Sequence, residues 1–314
     1  MNNFNARYLT EAALLTAIGI MITIGGTLIP FLNFLLIVIP VPYIIIGVKN
    51  DLKYSAMGLV VTAIIVSMFI SPIQGIFFIA IAGAPSLALS YGIVKKYNFS
   101  KTLLVGFVGN AISVFVMYAV LPMILGNNIM DTVDQYFATL GTTTNYLSEI
   151  GLGDPEKTQT IIEQMMFAIK ILFPSIIIGV AITQTYIYLI ISRLVLSRIG
   201  YGVVEAKTFS YFRLPNSFVG GTLIIILMTF LMKYFNLMDV SVLTSNLLYL
   251  GMMLMIIQGI AVLSFLLEKK GIGNTLRRVI IGIAFYMGFL HTILIMVGMI
   301  DLMIDLRKLD RKVE

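Results

Sequence analysis

Cysteine and tryptophan are absent from this chain of 314 residues, and histidine occurs once, at His291. The missing thiols exclude disulfides, thiolate nucleophiles and cysteine-built metal sites together. One histidine leaves no His–His pair for a metal, and neither paired membrane-embedded carboxylates nor a Ser/His/Asp order stands in for it. A lone histidine in an apolar helix is more often a hydrogen-bonded packing residue than a ligand or base. No Gly-x-x-x-x-Gly-Lys-Ser/Thr run is present, so ATP hydrolysis by a P-loop is excluded. Gly271-Ile272-Gly273-Asn274 is a short turn before Arg277-Arg278 and lacks the strand of a dinucleotide fingerprint. The residues therefore point to a nonenzymatic protein, with no catalytic residue, metal or cofactor expected.

Charge is also scarce. Asp, Glu, Lys and Arg fill only 11% of positions against 59% hydrophobic, and the mean hydropathy is +1.00. A soluble domain of this length has more surface than these charges can cover. Runs of about 20 apolar residues span the ~30 Å hydrocarbon core as helix. Nine candidates occur, at 11–29, 34–48, 54–71, 73–94, 102–125, 166–192, 217–235, 244–267 and 279–300. The second is short and bracketed by Pro30, Pro40 and Pro42. The expected fold is an all-α, polytopic transmembrane helical bundle of eight or nine spans. The first segment lacks a strong basic n-region and leads straight into further spans, so it is expected to remain as a membrane helix.

The formal net charge of +6 is informative by position. Arg7 and the loops 49–53, 95–101, 193–213 and 268–278 hold most of the Lys and Arg, whereas the intervening loops hold Lys157 and Lys233. The positive-inside rule then places the N-terminus and the basic loops in the cytoplasm, and assigns the basic excess to topology rather than to nucleic-acid binding. Nine spans would put the C-terminus outside, although the tail carries Arg307, Lys308, Arg311 and Lys312.

The long hydrophilic stretch 126–165 is acidic, with Asp131, Asp134, Glu149, Asp154, Glu156 and Glu163 against Lys157, and is expected outside. Ile129, Val133, Tyr136, Phe137 and Leu140 follow helical spacing, as in an amphipathic helix lying on the membrane or over a cavity mouth. Thr142-Thr143-Thr144-Asn145 and Gly151-Leu152-Gly153 break that pattern. Asp154-Pro155-Glu156 reads as a helix start that runs into the sixth span. The natural division is residues 1–198, six helices with the outer loop 126–165, and residues 199–314, a cytoplasmic loop, three further helices and a charged tail.

Small residues mark one packing surface. Ala12, Thr16, Gly19, Thr23 and Gly26 recur at helical steps down the first span, and Ala13 and Ala17 flank them as an Ala-x-x-x-Ala pair. In lipid such faces let helices approach closely. Ala13, Ala17 and Gly19 are the candidate contacts for a partner helix.

Polar residues inside the spans need partners, in protein or in a water-filled cavity. Asn110 and Ser113 lie on the fifth span, Thr183, Gln184, Thr185 and Tyr186 on the sixth, and Asn246 and Gln258 on the eighth. They serve either as hydrogen bonds between helices or as the lining of a cavity for a small neutral or amphipathic molecule. Lys170 is a basic residue inside a span; it either snorkels to the interface or complements an anionic ligand or Glu163. Asn110, Ser113, Lys170, Gln184 and Tyr186 are the candidate ligand residues. Pro85 and Pro174 remove backbone donors and are expected to interrupt the fourth and sixth spans.

Two resemblances add to this reading. Glu11-Ala12-Ala13-Leu14-Leu15-Thr16-Ala17, Gly83-Ala84-Pro85, Lys95-Lys96 and the sixth span resemble the S components of energy-coupling-factor (ECF) vitamin transporters, over roughly residues 8–198. That likeness implies docking of the Ala13/Ala17 face on a coupling membrane subunit, with cytoplasmic ATPases driving uptake; the three extra spans depart from the usual six. Over its whole length the chain resembles the YybS-like bacterial membrane proteins. The features are the Ala-rich first span, Pro40-Val41-Pro42 and the closing Gly298-Met299-Ile300-Asp301 with Asp305-Leu306-Arg307-Lys308. This second likeness implies a multi-pass protein of the bacterial cytoplasmic membrane and no particular substrate.

Two functions compete. In the first, the first six helices bind a vitamin-like small molecule for uptake with a separate coupling and ATPase module. In the second, the protein is a membrane scaffold or regulator whose last three helices, residues 217–300, cover the small face and whose polar groups only bind helices together.

Overall fold

Capping chemistry sets where two helices begin. Ser71 accepts the Gln74 N–H at 3.3 Å just before Pro72, and Asn98 accepts the Lys101 N–H at 2.8 Å. Those caps open the fourth and fifth helices of a computed structural model that describes residues 6–126, 130–131, 133–139, 141, 155–202, 209–215, 217–235 and 240–309. The helices are α1 (Ala6–Leu28), α2 (Pro40–Lys49), α3 (Leu52–Phe69), α4 (Pro72–Val94) and α5 (Phe99–Phe115), then α6 (Pro155–Arg198), α7 (Ser217–Tyr234), α8 (Ser241–Lys269), α9 (Asn274–Tyr286) and α10 (Phe289–Ile304). A 3-10 helix, Pro30–Val38, leads into α2, and α5 continues through a π turn, Val116–Val120, to Ile124. Ile129, Leu140, Asp154, Lys207, Arg311, Lys312 and residues 142–145 and 151–153 lie outside the described residues.

The molecule is an all-α polytopic bundle: among the described residues there is no strand, and seven helices are long and apolar enough to cross a membrane. Two shorter apolar helices, Gly220–Met232 and Phe289–Ile304, accompany them. The span expected at 279–300 is corrected to two helices, α9 and α10, because Met287 turns extended (φ −83°, ψ 94°) before Gly288. Hydropathy sees one apolar run there and is blind to the backbone break. Pro85 and Pro174 do not interrupt their helices either; α4 and α6 continue through both.

The chain forms two compact units. Unit 1 comprises residues 1–167 and 176–205, and unit 2 comprises 168–175 and 206–314. In unit 1, α2 is the buried centre: Tyr43, Ile44 and Ile46 are fully buried, and Val41, Ile44, Ile45 and Val48 pack with Leu89, Tyr188, Leu189 and Leu196. Hydroxyls tie the neighbours to it. Ser55 donates to the Tyr43 carbonyl at 2.8 Å, Ser90 to the Ile44 carbonyl at 3.1 Å and Ser86 to the Pro40 carbonyl at 3.2 Å.

The small stripe of α1 is covered inside unit 1. Ala12, Thr16, Gly19, Thr23 and Gly26 are all buried. A Cβ on Gly19 would overlap the Tyr43 hydroxyl, and one on Gly26 would meet Leu36. Gly58 of α3 in turn makes room for the Thr16 side chain. The stripe's partners are thus α2, α3 and the Pro30–Val38 turn, whereas Ala13 and Ala17 on the adjoining face are exposed.

In unit 2, α8 and α10 cross backbone to backbone. A Cβ on Gly259 would overlap the Leu294 carbonyl, and one on Gly298 would overlap that of Met255. Small-residue crossings of this kind replace hydrophobic driving force with van der Waals contact.

Candidate functional site

Unit 1 brings together part of the expected polar set. Asn110 is buried on α5 and donates through Nδ2 to the Ala181 carbonyl at 2.9 Å and to Gln184 Oε1 at 3.3 Å. Thr185 donates to the same Ala181 carbonyl at 2.7 Å. One helical turn from Asn110, the Ser113 hydroxyl is buried and has no hydrogen-bond partner among the described residues. It is a polar atom facing inward with unused capacity, which costs free energy unless something meets it. Thr183, by contrast, is exposed and bonds its own Gly179 carbonyl at 2.9 Å.

Tyr186 belongs elsewhere in the unit. Its ring packs edge-on to Phe99 at 6.2 Å, near the start of α5, and Arg193 lies 5.0 Å over the same Phe99 ring. Lys170 is half-buried in the stretch of α6 that counts with unit 2. Near the N-terminus, Glu11 is ion-paired with Lys49 at 2.9 Å and with Arg7 at 3.2 Å, and it accepts from Asn50 at 3.2 Å.

Unit 2 holds two further polar constructions. Asn246 meets Ser175: its Oδ1 accepts the Ser175 N–H at 3.0 Å, and its Nδ2 donates to the Ile171 carbonyl at 2.7 Å. The second is a chain of buried side chains around Asp301. Gln258, fully buried, accepts the Leu214 N–H at 3.0 Å and donates to Asp301 Oδ2 at 2.7 Å. Arg307 pairs with Asp301 at 2.8 Å, both side chains fully buried, and donates from Nη1 to the Ser210 carbonyl at 2.6 Å. Ser210 continues to Ser264 at 3.0 Å and to Glu268 at 2.6 Å, and Glu268 is ion-paired with Arg277 at 2.6 Å.

Sequence reasoning singled out Gln258 and missed its partner Asp301, together with the Arg307 that pairs with Asp301. The signal was present: an acid closing an apolar run, with a base six residues on. Those two residues read instead as part of the charged tail. Among the described residues no group of three or more His, Asp or Glu could hold a metal ion. Among the described residues these polar groups bond helix to helix, and Ser113 adds a buried hydroxyl with unused hydrogen-bonding capacity.

Long apolar helices, several of whose buried polar side chains bond from helix to helix, define a multi-pass α-helical membrane protein. The chain belongs to the family described as "Predicted membrane protein (DUF2232)", whose model matches residues 17–302. It is also similar to the uncharacterized protein YybS of Bacillus subtilis strain 168, at 24% identity over 309 residues, covering 96% of this chain and 97% of that protein. The YybS-like resemblance therefore extends over nearly the whole length. No solved structure matches the chain significantly.

Proposed function

We propose that this membrane protein is a nonenzymatic capture subunit of the bacterial cytoplasmic membrane. Unit 1 binds a small, vitamin-like molecule beside Asn110, Ser113 and Gln184 and docks through Ala13 and Ala17 on a separate coupling subunit served by ATPases. The N-terminus lies on the cytoplasmic side in this reading. The observation that carries it is the division of α1: five small residues are spent on packing within the unit, while Ala13 and Ala17 are exposed. A second, neighbouring helix can approach such a face closely. The unpartnered Ser113 hydroxyl supports the ligand.

The test is affinity purification of the tagged full-length protein from its own membrane, beside the variant Ala13→Leu/Ala17→Leu. Wild type is expected to retain a membrane subunit together with an ATPase bearing a P-loop, and the variant to lose both while unfolding at the same temperature. Wild type that retains no such pair overturns the reading. A scaffold or regulatory role is the second reading. It is favoured by Asn110, whose amide already donates to Ala181 and Gln184 within the chain. Under it, native mass spectrometry finds no retained small molecule.

A further inference from the structure

We propose that unit 2 carries a binding site for a phosphate ester, in the cleft between the end of α8 and the turn after α10. This site stands apart from the capture reading and does not rest on it. The cleft has a volume of about 430 Å³. Phe265, Leu306 and Tyr211 give it apolar walls, with the Tyr211 ring edge-on to Phe265 at 5.8 Å. Glu268, Lys269, Arg307 and Lys308 supply its charge.

Those charges are not equivalent. Arg307 is taken up by Asp301, and Glu268 by Arg277 and Ser210. Lys269 and Lys308 are exposed, and neither pairs with a carboxylate among the described residues. The two free ammonium groups leave the cleft positive. A phosphate, with several acceptor oxygens, can take donors from both at once.

The turn that carries Lys308 is built rather than loose. Asp305 (φ 47°) and Lys308 (φ 52°) both occupy the left-handed region that non-glycine residues avoid. Such conformations persist where surrounding bonds over-determine them, and they cluster at ligand sites. Here the Asp305 N–H bonds the Asp301 carbonyl at 3.0 Å, and the Lys308 N–H bonds the Asp305 carbonyl at 2.9 Å. Asp305 also pairs with Arg213 at 3.1 Å and accepts the Leu309 N–H at 3.0 Å. The buried Asp301–Arg307 pair anchors the whole turn from below.

Position favours a lipid as the source of the phosphate. The 29-residue apolar helix α8 ends at Lys269, so the cleft stands where hydrocarbon gives way to water. The last turn of α10 exposes Met303 and Ile304, and Leu306 beside them is half open. An anionic phospholipid fits this chemistry, its phosphate between the lysines and its chains along those apolar residues.

Thermal unfolding of the full-length protein in neutral detergent micelles tests the site. Wild type, Lys269→Gln/Lys308→Gln and the control pair Lys95→Gln/Lys96→Gln are each titrated with dioctanoyl-phosphatidylglycerol, dioctanoyl-phosphatidylcholine or AMP. Phosphatidylglycerol is expected to raise the midpoint of wild type and of the control by a few degrees. Phosphatidylcholine has no such effect, and Lys269→Gln/Lys308→Gln loses most of the shift. A shift with AMP and none with phosphatidylglycerol overturns the lipid source and identifies a soluble phosphate ester at the same lysines. The site is overturned if neither anion shifts wild type, or if Lys269→Gln/Lys308→Gln responds as wild type does.

Discussion

Asn246 spans the helical turn next to Pro174: it accepts the Ser175 N–H and donates to the Ile171 carbonyl, the two groups that pair i to i−4 in an uninterrupted helix. Ser175 returns its hydroxyl to the same side chain. The amide thereby supplies hydrogen bonds where proline disturbs the ladder, as helices in lipid require of their neighbours. Asn246→Leu should remove both of these bonds from the turn and cost about 1–3 kcal/mol. Ser175→Ala, which removes only the hydroxyl, should cost nearer ~0.6 kcal/mol. Because the residues touch, the double variant should cost less than the sum. Reversible unfolding in mixed micelles measures all three; strict additivity would show the two side chains to be energetically independent.

The Asp301–Arg307 pair predicts an asymmetry. Both side chains are fully buried and their remaining capacity is used by Gln258 and Ser210. Removing one partner of such a pair leaves a charge without compensation, at about 3–5 kcal/mol, whereas replacing both with neutral groups is far milder. Arg307→Met should therefore destabilise unit 2 strongly, and Asp301→Asn/Arg307→Met should recover much of the loss. The midpoint of unfolding in detergent reads both. A double variant less stable than Arg307→Met would exclude this account of the pair.

Two candidate ligand residues separate structure from binding. Asn110 is committed to α6 through two hydrogen bonds, so Asn110→Leu should lower stability by about 0.6–1.7 kcal/mol in any reading. Ser113 has no hydrogen-bond partner among the described residues, so Ser113→Ala should leave stability unchanged or raise it slightly. If Ser113 meets a ligand, its loss appears in native mass spectra as a weakened small-molecule adduct. Unfolding that is as sensitive to Ser113→Ala as to Asn110→Leu would contradict the placement of the hydroxyl.

Much of the fold is legible in the sequence because length and hydropathy suffice to find a spanning helix. The caps at Ser71 and Asn98, the start of α6 near Pro155 and the small stripe of α1 are all local patterns. What escapes is non-local. Met287 and Gly288 separate α9 from α10 inside one apolar run, a break that hydropathy does not register. Pro174 reads as a break until Asn246, 72 positions later, is seen to supply the missing bonds. Asp301 and Arg307 look like tail charges until the turn folds one onto the other. The polar residues Asn110 and Gln258 are visible in sequence; their partners, which decide what they do, are set by tertiary placement.

The crossing of α8 and α10 gives the sharpest steric prediction. An added Cβ at Gly259 meets the carbonyl of Leu294, which belongs to backbone and cannot rotate aside. Gly298 stands opposite, against the Met255 carbonyl and the Gly259 nitrogen. Alanine at either position must push the helices apart, forfeiting close contacts along the crossing. Gly251 lies on the same α8 with nothing within reach of an added Cβ. There alanine only improves helix propensity. Gly259→Ala and Gly298→Ala should each cost about 1–3 kcal/mol, the range for overpacking, while Gly251→Ala should be neutral or mildly stabilising. The double variant should cost less than the sum, since one separation relieves both clashes. Reversible unfolding in micelles measures all of these stabilities. A Gly259→Ala variant as stable as its glycine parent would show that the crossing tolerates the methyl group.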